Sequence, residues 1–133
     1  MSAFTHVVEV RYGDCDQQGV VFNAHYLAYV DDAMDHWMRS CEGLAWDQGF
    51  DVMLKKVIMT WHSPARWQDE LAIDCGIGRW GRTSFDVVFR LRVGDRAVAD
   101  AVITYVSVPT GSTQPMVVPD EARSQLGELV ALP

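Results

Sequence analysis

The spacing of apolar positions changes once along the chain. Over residues 24–41 the apolar side chains Tyr26, Leu27, Tyr29, Val30, Ala33, Met34, Trp37, Met38 and Cys41 recur at steps of three and four, which predicts a helix with a broad buried face. The polar residues Asp31, Asp32, Asp35, His36 and Arg39 fall on the narrower remaining side, and Asp35 and Arg39 have the i, i+4 spacing of a surface ion pair. Beyond a glycine-containing loop at 43–49 the period drops to two. Leu71, Ile73, Cys75 and Ile77 alternate with smaller or polar residues. Phe85, Val87, Phe89, Leu91 and Val93 alternate with Asp86, Val88, Arg90 and Arg92, as in antiparallel strands with one buried face.

The remaining elements follow from local signals. Residues 5–11, rich in valine, read as a first strand, and 53–67 as another that ends near Pro64. Gly94-Asp95 fits a two-residue hairpin turn into a strand at 97–108, and Gly81-Arg82 fits the close of the preceding hairpin. After Pro119, the residues Ala122, Leu126, Leu129 and Val130 fall at helical spacing and predict a short terminal helix. One strand, one buried helix and four long strands make an α+β architecture, an antiparallel sheet of about five strands curled around one helix. With no linker, repeat or low-complexity segment, residues 1–133 read as one domain.

Composition narrows the classes. The chain has 133 residues, 49% hydrophobic and 11% aromatic, enough to bury a core and unlike a disordered or fibrous chain. The start, Met1-Ser2-Ala3-Phe4-Thr5-His6, lacks the basic and apolar regions of a signal peptide, and no apolar run approaches the roughly 18 residues of a membrane helix; the expected location is cytoplasmic. Cys15, Cys41 and Cys75 are odd in number and widely spaced, so they predict buried or half-buried thiols rather than a disulfide framework or zinc site. A net charge of −7 argues against nucleic acid as partner. An anionic ligand would need a local basic patch, for which Arg79-Trp80-Gly81-Arg82-Thr83-Ser84 is the first candidate and Lys55, Lys56 and Arg66 are others.

The segment with the densest chemistry is Arg11-Tyr12-Gly13-Asp14-Cys15-Asp16-Gln17-Gln18-Gly19-Val20-Val21-Phe22, which runs into the long helix. Two carboxylates two residues apart, closed by a glycine, place an acid beside the free N–H groups of a helix N-terminus. That arrangement suits attack on a carbonyl. No G-x-S-x-G elbow or glycine-rich phosphate loop is present in the sequence, which leaves serine-hydrolase and nucleotide-binding readings with little support.

This segment, with His25-Tyr26-Leu27 and the helix after it, resembles the signature of the 4-hydroxybenzoyl-CoA thioesterase-like family of hotdog-fold acyl-CoA thioesterases, at whose centre stands Gly-Asp-x-Asp-x-x-Gly-[Val/Ile]-Val. The similarity extends over most of the chain. It implies the hotdog fold and hydrolysis of an acyl-CoA thioester without metal or prosthetic group. It also implies an oligomer, a homodimer or a homotetramer built as a dimer of dimers, with active sites between subunits. By the same resemblance Asp16 matches the catalytic carboxylate, and Asn23 the residue whose backbone N–H polarises the thioester carbonyl. Gly19, Val21, Phe22, His25 and Tyr26 match the surroundings of the substrate, and Asp31 an acid that relatives carry near the site. Arg82, Thr83 and Ser84 fall where relatives meet the CoA phosphates, although a lysine of some relatives is Thr83 here. Related thioesterases of the Tol-Pal type share Tyr12 but carry histidine in place of Asn23, so a histidine-assisted mechanism at that position is excluded and His25 is no evident substitute.

The same residues carry plainer readings. Asp14 is expected to form the turn, because aspartate bonds nearby backbone N–H groups. Asp16 is expected to serve as general base on water or as a nucleophile forming a mixed anhydride. His25 fits an active-site neighbour or a packed or solvated histidine equally well. Asp31, Asp32, Asp35 and His36 have the residue types of metal ligands, but without a second cluster helix-surface charge is the better account and no metal is expected. Phe22, Tyr26, Tyr29 and Trp37 fit an acyl pocket or the core. Two functional alternatives stay open: a thioesterase acting on acyl groups borne by a carrier protein, and a non-catalytic hotdog module binding an acyl ligand or protein. Long apolar strands such as 85–93 and 97–108 are expected to leave an edge prone to association.

Overall fold

The computed structural model describes residues 2–41 and 49–133; all but the last residue of the loop expected at 43–49 lies outside them. Five strands, β1 (Phe4–Glu9), β2 (Phe50–Trp61), β3 (Glu70–Trp80), β4 (Ser84–Val93) and β5 (Arg96–Pro109), form one sheet in the order β1-β3-β4-β5-β2. Every neighbouring pair is antiparallel. Helix α1 (His25–Ser40) lies between β1 and β2 in the chain, and α2 (Asp120–Leu126) follows β5. This is the α+β hotdog arrangement. No helix among the described residues is long and apolar enough to cross a membrane.

The helix takes its place from its stripe. Tyr26, Tyr29, Val30, Ala33, Met34, Trp37 and Met38 are all buried, and they face the inward residues of the sheet, among them Ile73, Ile77, Phe85, Phe89, Ala101 and Ile103. Burial of each large apolar side chain contributes about 1.5–3 kcal/mol, so contact between stripe and sheet outweighs any local propensity. Leu27, counted with the stripe, is instead 37% exposed. The expected Asp35–Arg39 pair forms at 2.8 Å.

Three expectations are corrected. The second strand runs over Phe50–Trp61 rather than 53–67, because the N–H groups of His62 and Ser63 both turn in to the Val98 carbonyl and end the ladder; the freed segment becomes a loop that supports the site. The terminal helix stops at Leu126, where Gly127 takes φ +89. Leu129 and Val130 therefore leave the helix, and the Val130 N–H donates to the Ile77 carbonyl at 2.7 Å. Finally, the strands expected to expose an edge are the interior β4 and β5, and the edges are β1 and β2. Edge strand β2 carries Met53, Leu54, Ile58 and Trp61, all 43–53% exposed.

Candidate active site

Residues 15–21 close into a narrow hairpin. Cys15 bridges Val21, the Asp16 N–H donates to the Val20 carbonyl at 2.9 Å, and the Gly19 N–H returns to the Asp16 carbonyl at 3.0 Å. Gly19 sits at φ +77, where a side chain would be strained. The Gln18 N–H donates to Asp16 Oδ1 at 2.8 Å, which fixes the carboxylate while Oδ2 has no partner among the described residues. The hairpin is fastened to the loop after β2 by the Val21 N–H, which reaches the Ala65 carbonyl at 2.9 Å, and by the Val20–Arg66 bridge.

Asp14 has the opposite surroundings. It is 4% exposed, and its Oδ2 accepts from Tyr29 Oη at 2.7 Å and from the Arg11 N–H at 3.1 Å. Its Oδ1 lies 3.0 Å from His25 Nε2 and 3.6 Å from the Arg11 guanidinium. Burial alone would raise its pKa, but these hydrogen bonds and charges together hold the carboxyl below its ordinary value. Burial, reinforced by Asp14, pushes the Tyr29 phenol up. Asp14 thus forms the turn, as expected, and also anchors α1. His25 is engaged with Asp14 and stacks edge-on against Tyr29 at 4.8 Å.

The start of α1 leaves donors unclaimed. The helix has no side-chain cap and no acid in its first turn. The Phe22 N–H goes to the Asp14 carbonyl and the His25 N–H to the Phe22 carbonyl, but the N–H groups of Asn23 and Ala24 between them find no acceptor among the described residues. Such donors, at the positive end of a helix, favour developing negative charge. Asn23 faces a hollow of about 220 Å³ shared with Val20, Val21, Tyr26, Trp61 and His62. Asp16 and Gly19 line an open hollow of about 770 Å³ together with Tyr12, Gln17 and Trp67.

The other expected residues divide by place. Tyr26 is at once core and rim, its Oη accepting from the Ala65 N–H at 3.0 Å, whereas Tyr29 and Trp37 belong to the core and Phe22 is 55% exposed and lines neither hollow. Asp31 lies six residues along α1 from His25, about 9 Å away, beside a hollow lined by Met34, Asp51 and Tyr105. Loss of water, with Asp35 and Asp32 nearby, raises its pKa. The three cysteines are free thiols, and burial pushes that of Cys75 up to about 12.

The 82–84 turn is at the far end of the sheet. Ser84 pairs with Val106 and Val106 with Met53, while Trp61, beside Tyr26, pairs with Ala99; eight residues of strand, roughly 26 Å, separate the two ends. Within one chain the structure therefore does not bring Arg82, Thr83 and Ser84 to Asp16. The turn is firmly built: the carbonyls of Gly81, Arg82 and Thr83 accept from Arg123, Val118 and Ser107. Arg79 is paired with Asp86 at 2.9 Å and donates to Ser84 Oγ at 3.1 Å. Arg82 is exposed with no ion-pair partner among the described residues.

Sequence reading missed the aromatic rim. Tyr12 and Trp67 meet edge to face at 5.7 Å beside Asp16 and are 77% and 53% exposed, and Trp61 closes the Asn23 hollow. The available signal was Trp67 itself, a lone aromatic within the polar run Arg66-Trp67-Gln68-Asp69 just beyond Pro64.

Known proteins share this architecture. The family model of the thioesterase-like superfamily matches residues 10–126. A protein of Aquifex aeolicus superimposes with a TM-score of 0.84 at 23% identity, covering 93% of this chain and 99% of its own. The 1,4-dihydroxy-2-naphthoyl-CoA thioesterase of Synechocystis gives 0.80 at 20% identity, with 92% and 94% covered. A gentisyl-coenzyme A thioesterase gives 0.82 at 19%, with 93% and 100% covered.

Proposed function

The chain belongs to the thioesterase-like superfamily and is a thioester hydrolase, and on that premise we propose that it cleaves an acyl-CoA, with Asp16 as the reacting carboxylate and the Asn23 N–H as the carbonyl donor. One observation carries this reading: an exposed carboxylate with a free oxygen and an unclaimed N–H at the start of α1 flank the same short hairpin. A thioester already has a good leaving group, so orientation and polarisation supply most of what the reaction needs. As general base, Asp16 takes a proton from water while the water oxygen bonds to the acyl carbon. Negative charge then gathers on the carbonyl oxygen facing the Asn23 N–H, the C–S bond breaks and the CoA thiolate leaves. As nucleophile, Asp16 itself bonds to the acyl carbon as the C–S bond breaks and the CoA thiolate leaves, and water then opens the anhydride to release the acid and restore the carboxylate. Both routes use the same two groups.

CoA recognition is assigned to a homodimer. Pairing the free edges of two β2 strands antiparallel about a two-fold axis would set one chain's Arg82 end beside the partner's Asp16 end, covering the exposed Met53, Leu54 and Ile58. The far-end placement of Arg82 supports this assembly, since no site within one chain uses both. The aromatic rim of Tyr12, Trp67 and Trp61 favours an aryl acyl group, the class named for the Synechocystis and gentisyl relatives.

The test is free-thiol release over a panel of aryl-, branched- and straight-chain acyl-CoA substrates, each repeated on pantetheine and on a carrier protein. Aryl-CoA is expected to give the highest kcat/KM, with a loss on removal of the nucleotide. Preference for the carrier-borne group would overturn the CoA assignment. Silence across the panel would remove Asp16 from catalysis.

A further inference from the structure

At the edge opposite β2, a second group of chemically active side chains converges that the proposed hydrolysis does not use. The alternation of β1 turns Phe4, His6 and Val8 toward α1. Phe4 stacks on Trp37 at 6.3 Å, and His6 stacks on His36 at 4.1 Å with their planes 24° apart. Asp32 and His36 stand one helical turn apart on the same face, so the edge strand supplies the third member that the helix sequence lacked. His6 Nε2 lies 3.1 Å from Asp32 Oδ2, and His36 Nδ1 lies 3.5 Å from Asp32 Oδ1.

We propose that His6, Asp32 and His36 form a divalent transition-metal site, of the Zn²⁺ or Ni²⁺ class, that clasps edge strand β1 to helix α1. One ligand atom from each residue lies within 4.8 Å of the other two, and this is the single such trio among the described residues. Ligands bound at about 2.1 Å in a tetrahedron lie about 3.4 Å apart, so the set closes when the two half-exposed side chains, Asp32 and His36, draw the ligand atoms together by roughly an ångström. Two imidazoles and one carboxylate suit these borderline cations and are a poor match for calcium or magnesium. His36 Nδ1 lies 2.9 Å from the Asp32 carbonyl oxygen. When it donates there, Nε2 keeps the lone pair that a metal needs, and because His36 is half exposed its ring can turn off the His6 face to bring that nitrogen toward Asp32. His6 is only 16% exposed along its side chain, whereas Asp32 and His36 are about half exposed, which leaves an entry path and room for water in the remaining positions.

The site joins two elements and lies away from Asp16, so its test reads binding and stability. Titration of the whole protein with ZnCl₂ in a calorimeter is expected to show saturable binding of one ion per chain. His6→Gln and His36→Gln should each weaken it at least tenfold, while His62→Gln, which alters a histidine paired with Asp100 elsewhere, should leave it unchanged. Saturating Zn²⁺ should raise the Tm of the wild type and not of the two variants. With Co²⁺ as probe, absence of thiolate charge-transfer absorption should exclude the three cysteines as ligands. If either histidine variant fails to fold, Asp32→Asn, on an exposed position, is expected to show the same loss. Absence of saturable binding, or binding that survives both histidine substitutions, would overturn the proposal.

Discussion

The two ends of the sheet share one arrangement with the signs exchanged: each holds a charged residue that is tied and, close by, one of the same sign with no ion-pair partner among the described residues. At the α1 end, Asp14 is buried under Tyr29, His25 and Arg11, while Asp16, two residues on, keeps an open oxygen. At the far end, Arg79 is locked to Asp86, while Arg82, three residues on, has no charge partner among the described residues. The tied member builds the turn that presents the free one. Two carboxylates of one motif therefore have opposite surroundings, one buried and partnered, the other exposed. The ends also differ in what they suit, a reacting carbonyl beside an acid and a helix N-terminus, against an anionic group beside an arginine.

The largest expected effect distinguishes the two aspartates. Asp16→Asn should lower kcat by about two orders of magnitude or more, as on loss of a general base or nucleophile, with the thermal transition unchanged. Near-wild-type kcat on the best thioester would erase the contrast with Asp14. Asp14→Ala should do the reverse first. It strips partners from a buried phenol and an N–H and should cost about 3 kcal/mol, read by urea unfolding. Because the fold holds the Asp14 carboxyl below its ordinary value of 3.8, its stabilisation is complete above that value and is lost as pH falls through the folded one. The stability gap between wild type and Asp14→Asn should thus narrow below about pH 4. A gap that is flat with pH would mean the carboxylate charge is not what anchors α1.

The next effect couples the ends. Arg82→Ala should raise KM for acyl-CoA about tenfold, the size of one charge-assisted hydrogen bond, with a smaller change on acyl-pantetheine. Mixing Asp16→Asn and Arg82→Ala chains and allowing exchange sharpens the point. If the ends meet across a dimer, each hybrid holds one intact site, and kcat/KM at low substrate should recover beyond the sum of the two parents. A mixture no better than its parts would place both residues in one chain's site or uncouple them.

The smallest expected change lies at the hairpin tip. A Cβ on Gly19 would meet nothing within 4 Å, so Gly19→Ala acts only through its φ of +77 and should cost about 1 kcal/mol. A loss of kcat larger than the loss of stability would show that the hairpin geometry aims Asp16.

Taken by itself, the sequence determined the elements and the motif. A stripe at steps of three and four and strands of period two can bury their apolar sides in only one broad way, so the helix-on-sheet architecture and the Gly94 turn were legible in local spacing. The role of Asp14 as turn former was legible too, because aspartate bonds its neighbours. Tertiary structure decided what spacing does not encode. Sheet order made β2 an edge and β4 interior, since pairing joins residues far apart in the chain. Folding placed Tyr29 and His25 on Asp14, Trp67 beside Asp16 and His6 against Asp32 and His36. It also set Arg82 a full strand length from the carboxylate it was expected to serve. Periodicity fixes which face of an element is buried; only packing fixes which other element that face meets.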